Sequence, residues 1–214
     1  MESRPARVLD LGLMAYRDAW EKQLEIAEQV ACGAPDTLVF VEHPSVYTLG
    51  ANFHENNLMY PPEFYRDKGV DIVKTDRGGD ITYHGPNQLV IYPIFDLKRH
   101  KQDLHWWLRG LEQTVIEVVA EFGLSGARFP PNTGVWVDSN KVAAIGIKIK
   151  KWINIHGIAI NCNNDLAPFS WIVPCGIQGY GVTSLSIETG KDVSTESVKP
   201  SVLRSFESVF GSDF

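Results

Sequence analysis

Between Met14 and Ala31, apolar residues return every third or fourth position (Tyr16, Trp20, Leu24, Ala27, Ala31). That spacing predicts an amphipathic helix with Gly33 as its stop. Thr37 to Glu42 predicts a strand ended by His43-Pro44. Pro61-Pro62 opens a short helix through Phe64 and Tyr65 that closes near Gly69. Asp71 to Lys74 predicts a short strand, and a glycine-rich turn leads to another over Gln88 to Ile94. The longest helix is predicted from Asp103 to Phe122, with Leu104, Trp107, Leu108, Leu111, Val115 and Val118 on one face and Gly123 at its end. Gly134 to Asp138, a turn at Ser139-Asn140 and a second strand from Lys141 read as a hairpin. In that second strand Ile145, Ile147 and Ile149 alternate with Gly146, Lys148 and Lys150, the period of a pleated sheet. A strand over Asn154 to Asn161 follows, and Lys199 to Phe210 predicts a closing helix with Pro200 in its first turn. This order of elements predicts an α+β fold, a mixed sheet with helices packed to one side, rather than a regular βαβ alternation.

The 214 residues suit one domain with a full core, spanning 1–214, and no repeat or linker divides them. A net charge of −6 argues against general nucleic-acid binding, which needs a surplus of Lys and Arg. Two basic islands nevertheless stand out, Lys98-Arg99-His100-Lys101 and Lys148, Lys150, Lys151. The longest apolar runs fall far short of a membrane span, and no apolar segment follows the basic N-terminal residues, so a cytoplasmic protein is expected. Three widely spaced cysteines, Cys32, Cys162 and Cys175, suit reduced thiols, and no ligand spacing suggests a metal site.

Candidate chemistry gathers in a few places. Arg77-Gly78-Gly79-Asp80-Ile81-Thr82-Tyr83-His84-Gly85-Pro86 crowds glycines around one arginine and one histidine. It reads either as a tight turn or as a loop whose backbone a ligand approaches closely, with Arg77 holding an anionic or carbonyl group and His84 donating a hydrogen bond. Val173-Pro174-Cys175-Gly176 sets a thiol between stiff and open backbone. A free thiol is only roughly 3% ionised at neutral pH, so a nucleophilic Cys175 needs a cation or base nearby. Otherwise it is a small buried hydrophobe, the reading that Cys32 and Cys162 invite. Lys141, followed by Val142-Ala143-Ala144-Ile145-Gly146, is either a partly desolvated base or a solvated lysine leaving a turn. His156 reads as a pocket residue or as a satisfied core histidine.

In combination these blocks, with His156-Gly157-Ile158-Ala159 and Pro174-Cys175-Gly176-Ile177, resemble the octanoyltransferase family, the lipoyl(octanoyl) transferases of the lipoate-protein ligase B type, over roughly Asp10 to Leu185. The resemblance implies the fold of biotin and lipoate ligase catalytic domains. It implies catalysis by Cys175, which carries the acyl group, and by Lys141, which lowers the thiol pKa and relays protons. The acyl pocket would be lined by Arg77, Gly78, Gly79, Asp80, Ile81, Thr82, Tyr83 and His84, by Ala144, Ile145 and Gly146, and by Gly157, Ile158 and Ala159. The implied donor is octanoyl-acyl carrier protein. The implied acceptors are lipoyl domains of 2-oxoacid dehydrogenase subunits and the glycine cleavage H protein, with no cofactor, no ATP, no membrane partner and a monomeric enzyme. The reaction would be the first step of endogenous protein lipoylation. Relatives usually carry Gly where this chain has Asn87, and Asn tolerates left-handed backbone better than most residues, so the turn is expected to survive. An ATP-dependent ligase and an inert acyl-binding relative remain the competing readings.

Overall fold

The structure, a computed structural model, describes residues 4–129, 132–173 and 181–214, so Cys175 with its neighbours Pro174 and Gly176 lies outside the described residues. The elements are β1 (Arg4–Leu13), α1 (Tyr16–Ala31), β2 (Asp36–Glu42), β3 (Val46–Leu49), α2 (Pro62–Asp67), β4 (Asp71–Lys74), β5 (Ile81–His84), β6 (Gln88–Ile94) and α3 (Leu104–Glu121). After them come β7 (Gly126–Phe129), β8 (Asn132–Val137), β9 (Asn140–Lys150), β10 (Ile153–Asn161), β11 (Gly181–Val182), α4 (Leu185–Thr189), α5 (Thr195–Phe210) and β12 (Ser212–Asp213). Among the described residues nine strands form one mixed sheet in the order β12-β1-β2-β6-β10-β9-β8-β7, with β11 beside the start of β9. A second, three-stranded sheet runs β4-β3-β5.

Every position of β6 and β10 is buried, because the large sheet is covered on both faces. Leu38, Phe40, Leu89 and Ile91 face α3 and α5, packing with Trp107, Leu111, Val202 and Phe206. The alternate residues Val39, Val41, Val90 and Tyr92 face α1 through Ala19, Ile26 and Val30. The fold is α+β as expected, but the helices do not all sit on one side. The α1 stripe is also rotated from the predicted one: Tyr16, Ala19, Gln23, Ile26 and Val30 are buried, while Leu24 is 46% exposed. Gln23 is the physical reason, since its Oε1 accepts the His156 N–H (2.7 Å) and draws a polar residue into the interface.

The predicted α2, β4 and β6 match, and α3 begins where the Asp103 side chain accepts the Trp106 N–H (3.0 Å). β1, β3, β5 and α4 escape the periodicity. α5 starts earlier than predicted because Ser194 caps it, so Pro200 is an interior residue instead of a first-turn one. The β8–β9 turn falls at Asp138-Ser139, one residue before the predicted pair, with Asp138 at φ 51°. Asn87 holds φ 64°, so the turn before β6 keeps its left-handed residue without glycine. Among the described residues no helix is long and apolar enough to cross a membrane.

Candidate functional site

β5 pairs antiparallel with β3 in the register Thr48↔Thr82 and Val46↔His84. Alternation turns Thr82 and His84 to one side, Ile81 and Tyr83 to the other. The segment before β5 is clamped by Arg77, which is only 7% exposed. Its Nε donates to Thr48 Oγ1 (3.0 Å), its Nη2 to Thr48 O (2.5 Å) and Asp80 O (2.8 Å), and its Nη1 to Gly78 O (3.0 Å). These bonds make Arg77 a brace for the glycine loop. Gly50 lets the loop close, since a Cβ there would meet Gly79 O at 2.2 Å. Asp80 accepts from Asn57 Nδ2 (2.5 Å), Ile81 N (2.8 Å) and His54 N (3.3 Å), which ties the 52–57 segment over the same place.

The braced loop then meets β9: Gly78 N–H donates to Ile147 O at 2.8 Å. Between loop, β9, β10 and α1 lies a cavity of about 1060 Å³. Arg77 to Thr82, His84, Lys141, Ala144 to Gly146 and Gly157 to Ala159 all reach its wall. Tyr83 does not. It belongs to the apolar cluster of the small sheet with Tyr47, Tyr65 and Phe169, and its hydroxyl lies 3.0 Å from Ser45 Oγ. Thr82 and His84 alternate toward the cavity and Tyr83 away from it, while Ile81, on the Tyr83 side, still reaches the wall where the strand begins beside the loop, so the contiguous run 77–84 read from sequence skips Tyr83.

Among the side chains that sequence reading passed over, Tyr16, Asp76 and Tyr92 also line the cavity. They belong to a hydrogen-bonded string. His156 Nε2 donates to Asp76 Oδ1 (2.8 Å), and the Tyr16 hydroxyl donates to His156 Nδ1 (3.3 Å). His43 Nδ1 donates to Met14 O (2.7 Å), so its Nε2 accepts the Tyr92 hydroxyl proton (2.8 Å). His84 Nδ1 donates to Gln88 Oε1 (2.8 Å), and the ring stacks on Tyr16. Burial lowers the pKa of His43 to about 4, pushes His84 well below the usual histidine value and lowers His156 as well. All three are therefore neutral at pH 7, while the His156 hydrogen bond holds the Asp76 carboxyl below its ordinary value. A Tyr within an apolar helical stripe gives no signal of this role, since its ring satisfies the periodicity whatever its hydroxyl does.

Cys162 is buried in the main core with its thiol pushed up to about 12 by burial, which is packing as expected. Cys32 is exposed after α1 rather than packed. In the island 98–101, Lys98 and Lys101 stay exposed beside Asp96 (4.0 Å) and Asp103 (3.0 Å), while the two residues between them turn inward. Arg99 donates to Ala34 O (2.7 Å) and Val30 O (2.9 Å) at the end of α1, and the buried side chain of His100 donates to Asp36 Oδ2 (2.6 Å). Lys148 and Lys150 remain exposed.

The family model described as the lipoyl protein ligase A/B catalytic domain matches residues 15–207. The chain is 44% identical over 206 residues to an octanoyltransferase of Thermosynechococcus vestitus, covering 95% of this chain and 89% of that protein. An octanoyltransferase of Rubrobacter xylanophilus is 46% identical over 203 residues, with 94% and 91% covered. Among solved structures, lipoate-protein ligase A bound with ATP superposes with a TM-score of 0.73 at 18% identity, over 100% of this chain and 87% of that one. The biotin protein ligase of Aquifex aeolicus in complex with biotin and ATP gives 0.60 at 17%, over 94% and 69%. At such identities the two structures speak for the fold alone.

Proposed function

The chain belongs to the octanoyltransferase family, acyltransferases built on the lipoyl protein ligase A/B catalytic domain, and from this premise we propose that it moves an octanoyl group from acyl carrier protein to a lipoyl-domain lysine through a thioester on Cys175, without ATP. The observation that carries the reading is the company Lys141 keeps. It stands on the wall of a cavity whose floor is Ala144, Gly146, Gly157, Ile158 and Ala159, small or apolar positions suited to a saturated chain.

In the first step the Cys175 thiolate attacks the thioester carbonyl. The bond from the acyl carbon to the pantetheine sulfur breaks as a carbon–sulfur bond forms to the enzyme, and the leaving sulfur takes its proton from the Lys141 ammonium, which becomes a neutral amine. In the second step the acceptor amine attacks the acyl-enzyme, an amide forms, the Cys175 sulfur departs, and Lys141 takes the amine proton and returns it to that sulfur. A thioester-to-amide exchange runs downhill, so no phosphoryl donor enters the balance. In this reaction Lys141 supplies the cation that raises the thiolate fraction of Cys175; a lowering of about two pKa units raises that fraction roughly 20-fold.

Octanoyl-carrier protein, a lipoyl domain and the enzyme, incubated without ATP, test this directly. One octanoyl mass is expected on the acceptor lysine and, transiently, on Cys175. Cys175→Ser turning over at near wild-type rate, or acylation that demands ATP, would point instead to the ligase chemistry of the same fold.

A further inference from the structure

Along β9, Ala143, Ile145 and Ile147 pack into the core under α3, with Ile145 and Ile147 also edging onto the cavity, whereas Ala144 and Gly146 reach the cavity without joining that core. Counting back two by two puts residue 142 on the cavity face and 141 under α3. The observed order is reversed because the β8–β9 ladder slips. Val135 pairs with Ala143 and Trp136 with Lys141, leaving Val142 as an extra residue, buried in the α3 core beside Ala143. This bulge swings Lys141 over to the cavity.

What receives the lysine comes from β8. Lys141 Nζ lies over the Trp136 ring, 4.9 Å from its centroid, and Trp136 is 2% exposed and backed by the Phe129 ring at 5.9 Å. A Cβ on Gly134 would stand 2.6 Å from Lys141 Cε and 2.6 Å from Ala143 O, so the stem of the lysine occupies the room a side chain would take. Buried Glu112 accepts the Gly134 N–H (3.3 Å) and is itself held by Arg109 and Arg128, which fixes this stretch of β8 to α3.

We propose that Trp136, with the bulge at Val142 and the bare Gly134, is a positioning residue that holds Lys141 on the cavity wall as an ammonium. The proposal rests on the reading above in which Lys141 ionises Cys175. An indole face favours the charged amine, more so where water is excluded, and a phenyl face does this less well. Removing the ring frees the lysine stem and weakens the charged form, so the thiol loses ionisation.

Alkylation of Cys175 by iodoacetamide, followed by peptide mass spectrometry across a pH series, reads this out, with exposed Cys32 as the internal reference. Trp136→Leu is expected to slow Cys175 alkylation about tenfold at neutral pH and to move its profile upward, Trp136→Phe about threefold, with Cys32 unchanged. If Trp136→Leu does not fold, fluorinated tryptophans at 136 drain the ring's π density at nearly constant shape, and the shift should grow with each fluorine. An unmoved Cys175 profile in either series, beside a shifted one in Lys141→Met, overturns the positioning role and leaves the thioester reading standing. A Lys141→Met profile identical to wild type removes the premise, and the inference falls with it.

Discussion

His43 shows how one residue sets a pH limit on the fold. Its Nδ1 donates to Met14 O and its Nε2 accepts from Tyr92, an arrangement that requires the neutral ring. The folded pKa of about 4 lies below the ordinary 6.5, so the unfolded chain binds the extra proton first as pH falls. Stability is full above about pH 6.5 and declines toward pH 4, by about 3 kcal/mol for this group alone. His84 and His156, both lowered by burial, act in the same direction. Urea midpoints measured from neutral to mildly acidic pH should fall, and His43→Gln, which can still donate to Met14 O and accept from Tyr92, should flatten the slope. An equal slope in that variant would show that other groups govern acid unfolding.

At the scale of elements, the meeting of β6 and β10 illustrates what local sequence does and does not reveal. Their ladder runs from Asn161↔Gln88 to Ile158↔Ile91, then lapses opposite Pro93, which has no N–H to give. His156 sits there at φ 60°, its N–H turned out to Gln23, while Asn154 Nδ2 donates to Pro93 O (2.7 Å). At Gly157 a Cβ would meet Ile91 O at 2.3 Å. Gly157→Ala is therefore expected to cost about 2 kcal/mol or more, visible as a lower melting temperature; an unchanged melting temperature would mean that the strands separate freely. Both strands were legible as apolar runs, and so was α3, whose period and cap agree. β3 and β5 were not legible, because four-residue strands carry almost no periodicity and β5 hides among glycines that signal a turn. The residues of the cavity wall were legible as motifs but not as sides. Lys141 reaches the cavity through a bulge that depends on β8, and Tyr83 leaves it by alternation along a strand that the sequence did not announce.

For the molecule as a whole, an acidic chain keeps exposed lysines at the far end of β9, and Lys148 reaches the cavity wall. With Arg99 and His100 engaged internally and Lys98 and Lys101 paired with Asp96 and Asp103, Lys148 and Lys150 are the residues to test, under the proposed reaction, for docking an acidic carrier protein. Charge reversal at both should raise the apparent KM for the carrier severalfold at low salt, with the difference fading as ionic strength rises. An unchanged KM at low salt would exclude this face. The backbone of Lys141 is gripped from two flanks, by Trp136 of β8 and by Val182 of β11, whose neighbour Thr183 donates its N–H to Lys141 O (3.0 Å). On the other side of 174–180, Val173 N–H is tied to Asn57 O (3.0 Å). The amine thus grows from a fixed post, and the cysteine-bearing stretch enters and leaves between moorings that belong to the scaffold. Under the proposed reaction, grafting a relative's version of residues 174–180 should retune the Cys175 thiol while the lysine stays where it is, so the scaffold is expected to serve as a chassis for exchanging that segment.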